Sequence, residues 1–258
     1  QLIGPRTKLV GVVHMSNVLG TINPVGELAE MARAVGAVVL VDGAQSAPHL
    51  PVDVEALGGD FFALSAHKML GPTGVGVLWA RPGMLESMEP FLGGGDMIAL
   101  VRQDESTWAD VPHKFEAGTP NIADVVAFGA ALEYLERIGM GAIRAHEVAL
   151  TAYAMEQLEG VEGLTIHGPA SAEERGGVVS FAMHLAHPHD IATIADGHGV
   201  AIRAGHHCAQ LLMRHLGVPA TSRASFSIYN DRDDIDVLVE ALEHVNRVFG
   251  DGSTRAAI

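Results

Sequence analysis

Hydrophobic positions in the first third of the chain alternate between short continuous runs and helix-spaced faces. Residues 9–14 (LVGVVH) form a short β-branched run. Pro24 then opens a helical stretch at a favoured early position, with Leu28, Met31 and Val35 on one face and Gly36 as its stop. Residues 37–41 (AVVLV) are continuously apolar, the pattern of a strand buried on both faces of a parallel sheet. Residues 60–65 (DFFALS) and 75–79 (VGVLW) have the same character. Strands alternating with helices predict an α/β layered fold with a mainly parallel sheet.

Further along, the units change. Residues 124–135 carry Val125, Phe128, Ala131, Leu132 and Leu135 at helical spacing, and residues 142–158 read as a second helix. After Gly160 the elements shorten: strands over 164–167 and 178–183 flank a loop over 168–177. A helix over 189–197, a strand over 200–203, a helix over 209–216 and a strand over 223–228 follow. The last helix has the clearest face, with Ile235, Leu238, Val239, Leu242, Val245 and Phe249 at i, i+3, i+4, i+7 spacing; its acids from Asp233 onward form a solvated surface. These patterns place a domain change across 126–160, dividing a first domain (1–125) from a smaller α+β domain (161–258).

Charge narrows the function classes. The 258 residues include 31 acidic and 16 basic side chains, a formal net charge of −15. Such a balance disfavours nucleic acid and anionic membrane surfaces, whose binding needs a positive face. No run of 18 apolar residues predicts a membrane helix, and residues 1–8 lack the apolar core of a signal peptide; a cytoplasmic protein is the expectation. The single cysteine, Cys208, rules out an intramolecular disulfide and a thiolate zinc cluster. A lone thiol is either an inert core residue or a reactive one. The 14 histidines cluster at His184, His187 and His189 and at His206, His207 and His215, but adjacent histidines converge poorly and no carboxylate motif accompanies them, so no metal is expected. Gly93-Gly94-Gly95 lacks dinucleotide-fingerprint spacing. Trp79 and Trp108 read as packing residues.

The chemistry sits where polar residues end the apolar runs. AVVLV leads into Asp42-Gly43-Ala44-Gln45, and DFFALS into Ser65-Ala66-His67-Lys68. Ligands in open α/β sheets bind beyond the carboxyl ends of the strands, so an acid and an amine are delivered to one edge. An ordinary loop salt bridge between Asp42 and Lys68 is the plain reading. Composition weighs against it slightly: only three of the 16 basic residues are lysines, and Lys68 stands between a strand and the turn Gly71-Pro72-Thr73-Gly74. The alternative is cofactor chemistry. A lysine amine condenses with an aldehyde, and a pyridine ring draws electrons from the adduct, more strongly when an acid keeps its nitrogen protonated. Asp42 suits that last role, Gln45 could donate to a phenolate oxygen, and Ser65 and His67 could bind a phosphate.

Taken together these stretches resemble the class V aminotransferase superfamily of fold-type I pyridoxal 5'-phosphate enzymes. Arg203-Ala204-Gly205-His206-His207-Cys208-Ala209 resembles the SUF-type (group II) cysteine desulfurases within it. Ser16-Asn17-Val18-Leu19-Gly20, Gly93-Gly94-Gly95, Phe115-Glu116-Ala117-Gly118-Thr119-Pro120-Asn121 and Arg223-Ala224-Ser225 match further, in family order across nearly the whole chain. The resemblance implies Lys68 as the Schiff-base lysine, Asp42 and Gln45 as ring partners, and Ser65 and His67 as phosphate ligands. It implies that Thr119 reaches the phosphate of the partner subunit's cofactor, hence a homodimer. Asn17 would contact the cofactor and, with Arg223 and Arg203, the substrate, Arg223 as a bidentate fork on its carboxylate and Arg203 from near the thiol loop. Cys208 would take sulfur from L-cysteine, releasing L-alanine, and pass it to a SUF-system acceptor protein for iron–sulfur cluster assembly. A helix N-terminus and a neighbouring imidazolium are expected to activate the thiol. By the resemblance, residues 1–125 are the C-terminal part of the large cofactor-binding domain.

Members of this family carry a long segment before the strand at 9–14, which supplies the residue stacked on the cofactor ring and further phosphate ligands. With Gln1 in first place and no initiator methionine, a fragment, or a site completed by another chain, is the expectation. Ala66 stands where the family commonly has Gly, and Leu211 where it has Pro. Two other readings stay open: a selenocysteine lyase, sulfinate desulfinase or related class V enzyme, for which the thiol is dispensable with some substrates, and a catalytically silent chain serving as a dimer or acceptor-binding partner.

Overall fold

The computed structural model describes residues 2–253; residue 1 and residues 254–258, included in the sequence-based domain spans, lie outside the described residues. The chain forms two compact units. One comprises the residues up to His14, Pro24–Pro48 and Val52–Gly139; the other comprises Met15–Asn23, His49–Pro51 and the residues from Met140 onward.

In the first unit, strand β1 (Leu9–Val13) leads through helix α1 (Val25–Arg33) to β2 (Val38–Asp42), and through the short helix α2 (Ser46–His49) to β3 (Phe61–Ser65) and β4 (Gly76–Ala80). The sheet order is β1-β2-β3-β4. β1, β2 and β3 are mutually parallel and β4 is antiparallel to β3, which agrees with the mainly parallel sheet expected. The buried face of α1 is Val25, Ala29 and Ala32, whereas Met31 is 54% exposed. The helix turns its small alanines inward because they allow a close approach to the sheet, and the larger Met31 is left outside. Three short elements follow that hydrophobic spacing did not predict: helix α3 (Pro82–Ser87) and the hairpin of β5 (Ile98–Val101) and β6 (Ser106–Trp108). None has enough turns or alternations to give a period. Helix α4 (Ile122–Ile138) extends the expected 124–135 at both ends and stops at Gly139, whose φ of 88° only glycine adopts without strain.

In the second unit, helix α5 (Met140–Glu159) precedes strands β7 (Leu164–His167) and β8 (Val178–Met183), helix α6 (Pro188–Gly197), strand β9 (Arg203–Gly205), helix α7 (Gln210–Leu216), strand β10 (Thr221–Ser225) and helix α8 (Arg232–Ser253). The sheet is antiparallel in the order β7-β8-β10-β9. Its core joins Leu150, Ala154 and Leu158 of α5 to Val179 and Phe181 of β8, Ile191 of α6, and Ile235, Leu238, Leu242 and Val245 of α8. Each of the larger side chains among these, once buried, contributes about 1.5–3 kcal/mol. The α8 face matches the sequence expectation. Two strands do not: the apolar residues Val200 and Ile202 pack against the core, but the ladder forms at Arg203–Gly205 opposite Thr221–Arg223. Pairing partners, not the apolar run, set where β9 and β10 begin and end.

Candidate functional site

Residues singled out in the first unit gather where parallel strands end. Asp42 closes β2 and pairs in register with Ala63, two residues before Ser65 closes β3. The parallel direction therefore brings Asp42 and Ser65 to the same sheet edge. Asp42 Oδ1 accepts the Ala44 N–H at 2.9 Å, which fixes the turn toward Gln45. The turn depends on Gly43: a Cβ there would lie 1.9 Å from the Phe62 ring. After Ser65 the chain makes one 3₁₀ turn, Ala66–Lys68. The Ala66 carbonyl accepts the N–H of Met69 at 2.8 Å and of Gly71 at 2.9 Å, so the backbone under Lys68 is held without help from the lysine side chain.

The plain salt-bridge reading fails. Among the described residues the ion pairs are His49–Glu147, Arg81–Asp60, Arg102–Glu105 and Arg247–Glu243, and neither Asp42 nor Lys68 takes part. A carboxylate, an amide, a hydroxyl, an imidazole and an amine thus stand close to one strand edge with the lysine unpaired. This donor set suits pyridoxal phosphate: an acceptor for the ring N–H, donors for the phenolate oxygen and phosphate, and an amine for the aldehyde. Thr119 is exposed in the segment before α4, after Gly118 at a φ of 81°.

The second unit holds the thiol turn. Cys208 is exposed, so the inert-core reading of this cysteine does not hold. His207 and Cys208 have φ of 53° and 64°, left-handed values that cost non-glycine residues on the order of 1–3 kcal/mol each and concentrate at functional sites. Arg203 Nη2 donates to Cys208 Sγ at 3.6 Å. Asn17 Nδ2 donates to the His207 carbonyl at 3.0 Å, and Arg223 Nη1 donates to the Asn17 carbonyl at 2.7 Å. Arg223 Nε is buried with no partner among the described residues. Arg203, Ala204, His206, His207, Cys208 and Gln210 line a cavity of about 440 Å³ beside the thiol.

His207 corrects one expectation. Its ring is 2% exposed, with Nε2 at 3.0 Å from both the carbonyl and the hydroxyl of Thr221. A carbonyl only accepts, so Nε2 carries the proton. Burial first, and the Arg223 guanidinium second, push its pKa from 6.5 down to about 4. At neutral pH His207 is an uncharged brace, and the cation beside the sulfur is Arg203. The unfolded chain binds this proton near pH 6.5 and the folded chain only near pH 4. His207 therefore costs nothing above pH 6.5, and folding loses roughly 3 kcal/mol as pH falls through that window. Urea midpoints measured from pH 7 to 4 should decline steeply in the natural protein and less steeply in His207→Asn; parallel declines would contradict the assignment.

Sequence reasoning missed Ser180 and Arg175, both completely buried. The signal for Ser180 was a hydroxyl inside the otherwise apolar VVSFAM. Arg175 left none, because it lies in an irregular segment. No helix among the described residues is long and apolar enough to cross a membrane.

Among known proteins, the family described as Aminotransferase class-V matches residues 1–238. A probable cysteine desulfurase of Halalkalibacterium halodurans is 53% identical over 248 residues, covering 96% of this chain and 60% of the relative. One from Streptomyces coelicolor is 52% identical over 250 residues, covering 97% and 60%. The chain thus spans 60% of the length of these relatives. Among solved structures, the Escherichia coli cysteine desulfurase CsdA superposes with a TM-score of 0.91 at 39% identity, over 96% of this chain and 61% of the other. The apo cysteine desulfurase of Thermococcus onnurineus gives 0.89 at 42% identity, over 92% and 60%.

Proposed function

Because this chain belongs to the class V aminotransferase family, we propose that it acts as a pyridoxal-phosphate-dependent cysteine desulfurase, converting L-cysteine to L-alanine and carrying the sulfur as a persulfide on Cys208. The observation that carries this reading is the thiol turn, in which an exposed sulfur is held in left-handed backbone with the Arg203 guanidinium at 3.6 Å. A guanidinium at that distance can hold negative charge on sulfur, and the nucleophilic form of cysteine is the thiolate.

Bound at these residues, pyridoxal phosphate would supply an aldehyde for the substrate amine and a pyridine ring as electron sink for its Cα. Lys68 Nζ would anchor the cofactor and, as a free amine, would take the Cα proton of the substrate. Asp42 would hold a proton on the ring nitrogen, Gln45 would donate to the phenolate oxygen, and Ser65 and His67 would donate to the phosphate. Asn17 and Arg223 take the substrate carboxylate, Arg223 with the nitrogens that the Asn17 carbonyl leaves free. Cys208 Sγ then forms a bond to the substrate sulfur as the Cβ–S bond breaks. The electron pair of that bond stays on Cβ, which takes up one proton, and the proton held on Lys68 Nζ returns to Cα to complete alanine.

Resemblance supports three extensions: a homodimer in which exposed Thr119 reaches the phosphate across the interface, a SUF-system protein that accepts the persulfide sulfur, and a cytoplasmic setting. It also supports assigning 1–125 to the large cofactor-binding domain, 126–160 to connecting helices and 161–258 to the small domain. The direct test is mass analysis of the cofactor-loaded protein after brief exposure to L-cysteine. One added sulfur atom on the peptide containing Cys208 is expected; an unmodified thiol alongside alanine production would refute the persulfide.

A further inference from the structure

Three consecutive carbonyls of one loop are each gripped by a side chain of the second unit. Within the loop, Ser16 Oγ accepts the N–H groups of Val18 and Leu19 at 3.2 Å each, and Gly20 N–H donates to the Ser16 carbonyl at 3.1 Å. The carbonyls of Asn17, Val18 and Leu19 find donors elsewhere. Arg223 Nη1 takes that of Asn17 at 2.7 Å, Ser180 Oγ that of Val18 at 2.6 Å, and Arg175 Nη2 that of Leu19 at 3.2 Å.

Sheet register explains how neighbouring donors meet neighbouring carbonyls. Ser180 of β8 is the direct partner of Arg223 of β10, which is in turn the partner of Arg203 of β9. Opposed residues in antiparallel strands project from the same face. One polar row therefore runs from Ser180, through Arg223, to the Arg203 that touches Cys208 Sγ. Arg175 is anchored at the far end, with Nη2 also on the His167 carbonyl at 2.6 Å, and His167 is the β7 partner of Ser180. What the row holds in place is Asn17, whose carboxamide grips the carbonyl of His207, the residue before the thiol.

We infer that Ser180, assisted by Arg175, is a positioning residue for sulfur transfer: by fixing the Val18 carbonyl it sets Asn17 against His207 and so holds Cys208 in the left-handed turn that presents its sulfur. The inference rests on the desulfurase reading. A buried hydroxyl whose only task were stability could be deleted at the expense of folding alone. Here its loss releases the Val18 carbonyl of a loop whose Asn17 side chain holds His207, the residue before the nucleophile, and a misplacement of about 1 Å is enough to slow a reaction step.

The test compares two reactions of the cofactor-loaded protein. Sulfur transfer from L-cysteine needs Cys208. L-cysteine sulfinate loses its sulfur as SO2 when the C–S bond breaks, leaving the electron pair on carbon for protonation, and needs no thiol nucleophile. In Ser180→Ala the ratio of the L-cysteine rate to the sulfinate rate should fall on the order of tenfold, and Ser180→Thr, which keeps the hydroxyl, should restore most of it. An unchanged ratio, whether both rates hold or both fall together, would overturn the positioning role. If Ser180→Ala gives no folded holoenzyme, Arg175→Lys, which loses the reach to the Leu19 carbonyl, replaces it: a fallen ratio supports the positioning role and an unchanged one overturns it. A natural protein inactive on L-cysteine would instead overturn the desulfurase reading itself.

Discussion

Lys68→Ala is expected to lower cysteine-dependent alanine formation on the order of 10³-fold or more, the span of a lost general base combined with a lost covalent anchor. Borohydride treatment of the loaded protein should fix the cofactor to Lys68 in the natural chain and leave none fixed in the variant. The effect should be chemical rather than structural. The turn under Lys68 is held by the Ala66 carbonyl, which accepts from Met69 and Gly71, and the side chain makes no ion pair among the described residues. The thermal midpoint should therefore shift little. Cofactor recovered on Lys8 or Lys114, the other two lysines, would refute the assignment.

The second large effect is expected at the sulfur. Cys208→Ala should retain the cofactor absorbance and lose sulfide release from L-cysteine on the order of 10²-fold or more, because no group remains to take the sulfur. Alanine at a φ of 64° bears the same backbone strain as cysteine, so stability should stay near that of the natural protein. Undiminished turnover in this variant would favour a lyase that expels its leaving group unaided. Selenocysteine or cysteine sulfinate offered to both proteins would then show which substrates dispense with the thiol.

The two sites were legible to different degrees. Around Lys68, the motifs themselves carried the geometry. An apolar run ending in Asp42 and another ending in Ser65 become parallel neighbours, and parallel neighbours must present their carboxyl ends together. Around Cys208 the motif named the residues but not their state. The adjacent imidazole looked like an activating cation; in the fold it is buried on the Thr221 carbonyl and uncharged at neutral pH. The cation beside the sulfur comes from Arg203, five residues upstream, brought there when the chain turns back from β9.

Local pattern by itself determined the helices with strong faces, above all α8, and the parallel strands β1 to β3. These follow from side-chain period and residue chemistry, which act over a few residues and leave a trace in any short window. Only the tertiary structure decided where β9 and β10 begin, that Ser180, Arg223 and Arg203 form one row, and that the Asn17 loop is gripped at three successive carbonyls by residues more than 150 positions away. Those outcomes depend on strand register and on backbone carbonyls, which every residue carries alike. No composition or spacing along the chain can single out the carbonyls that a distant side chain will find.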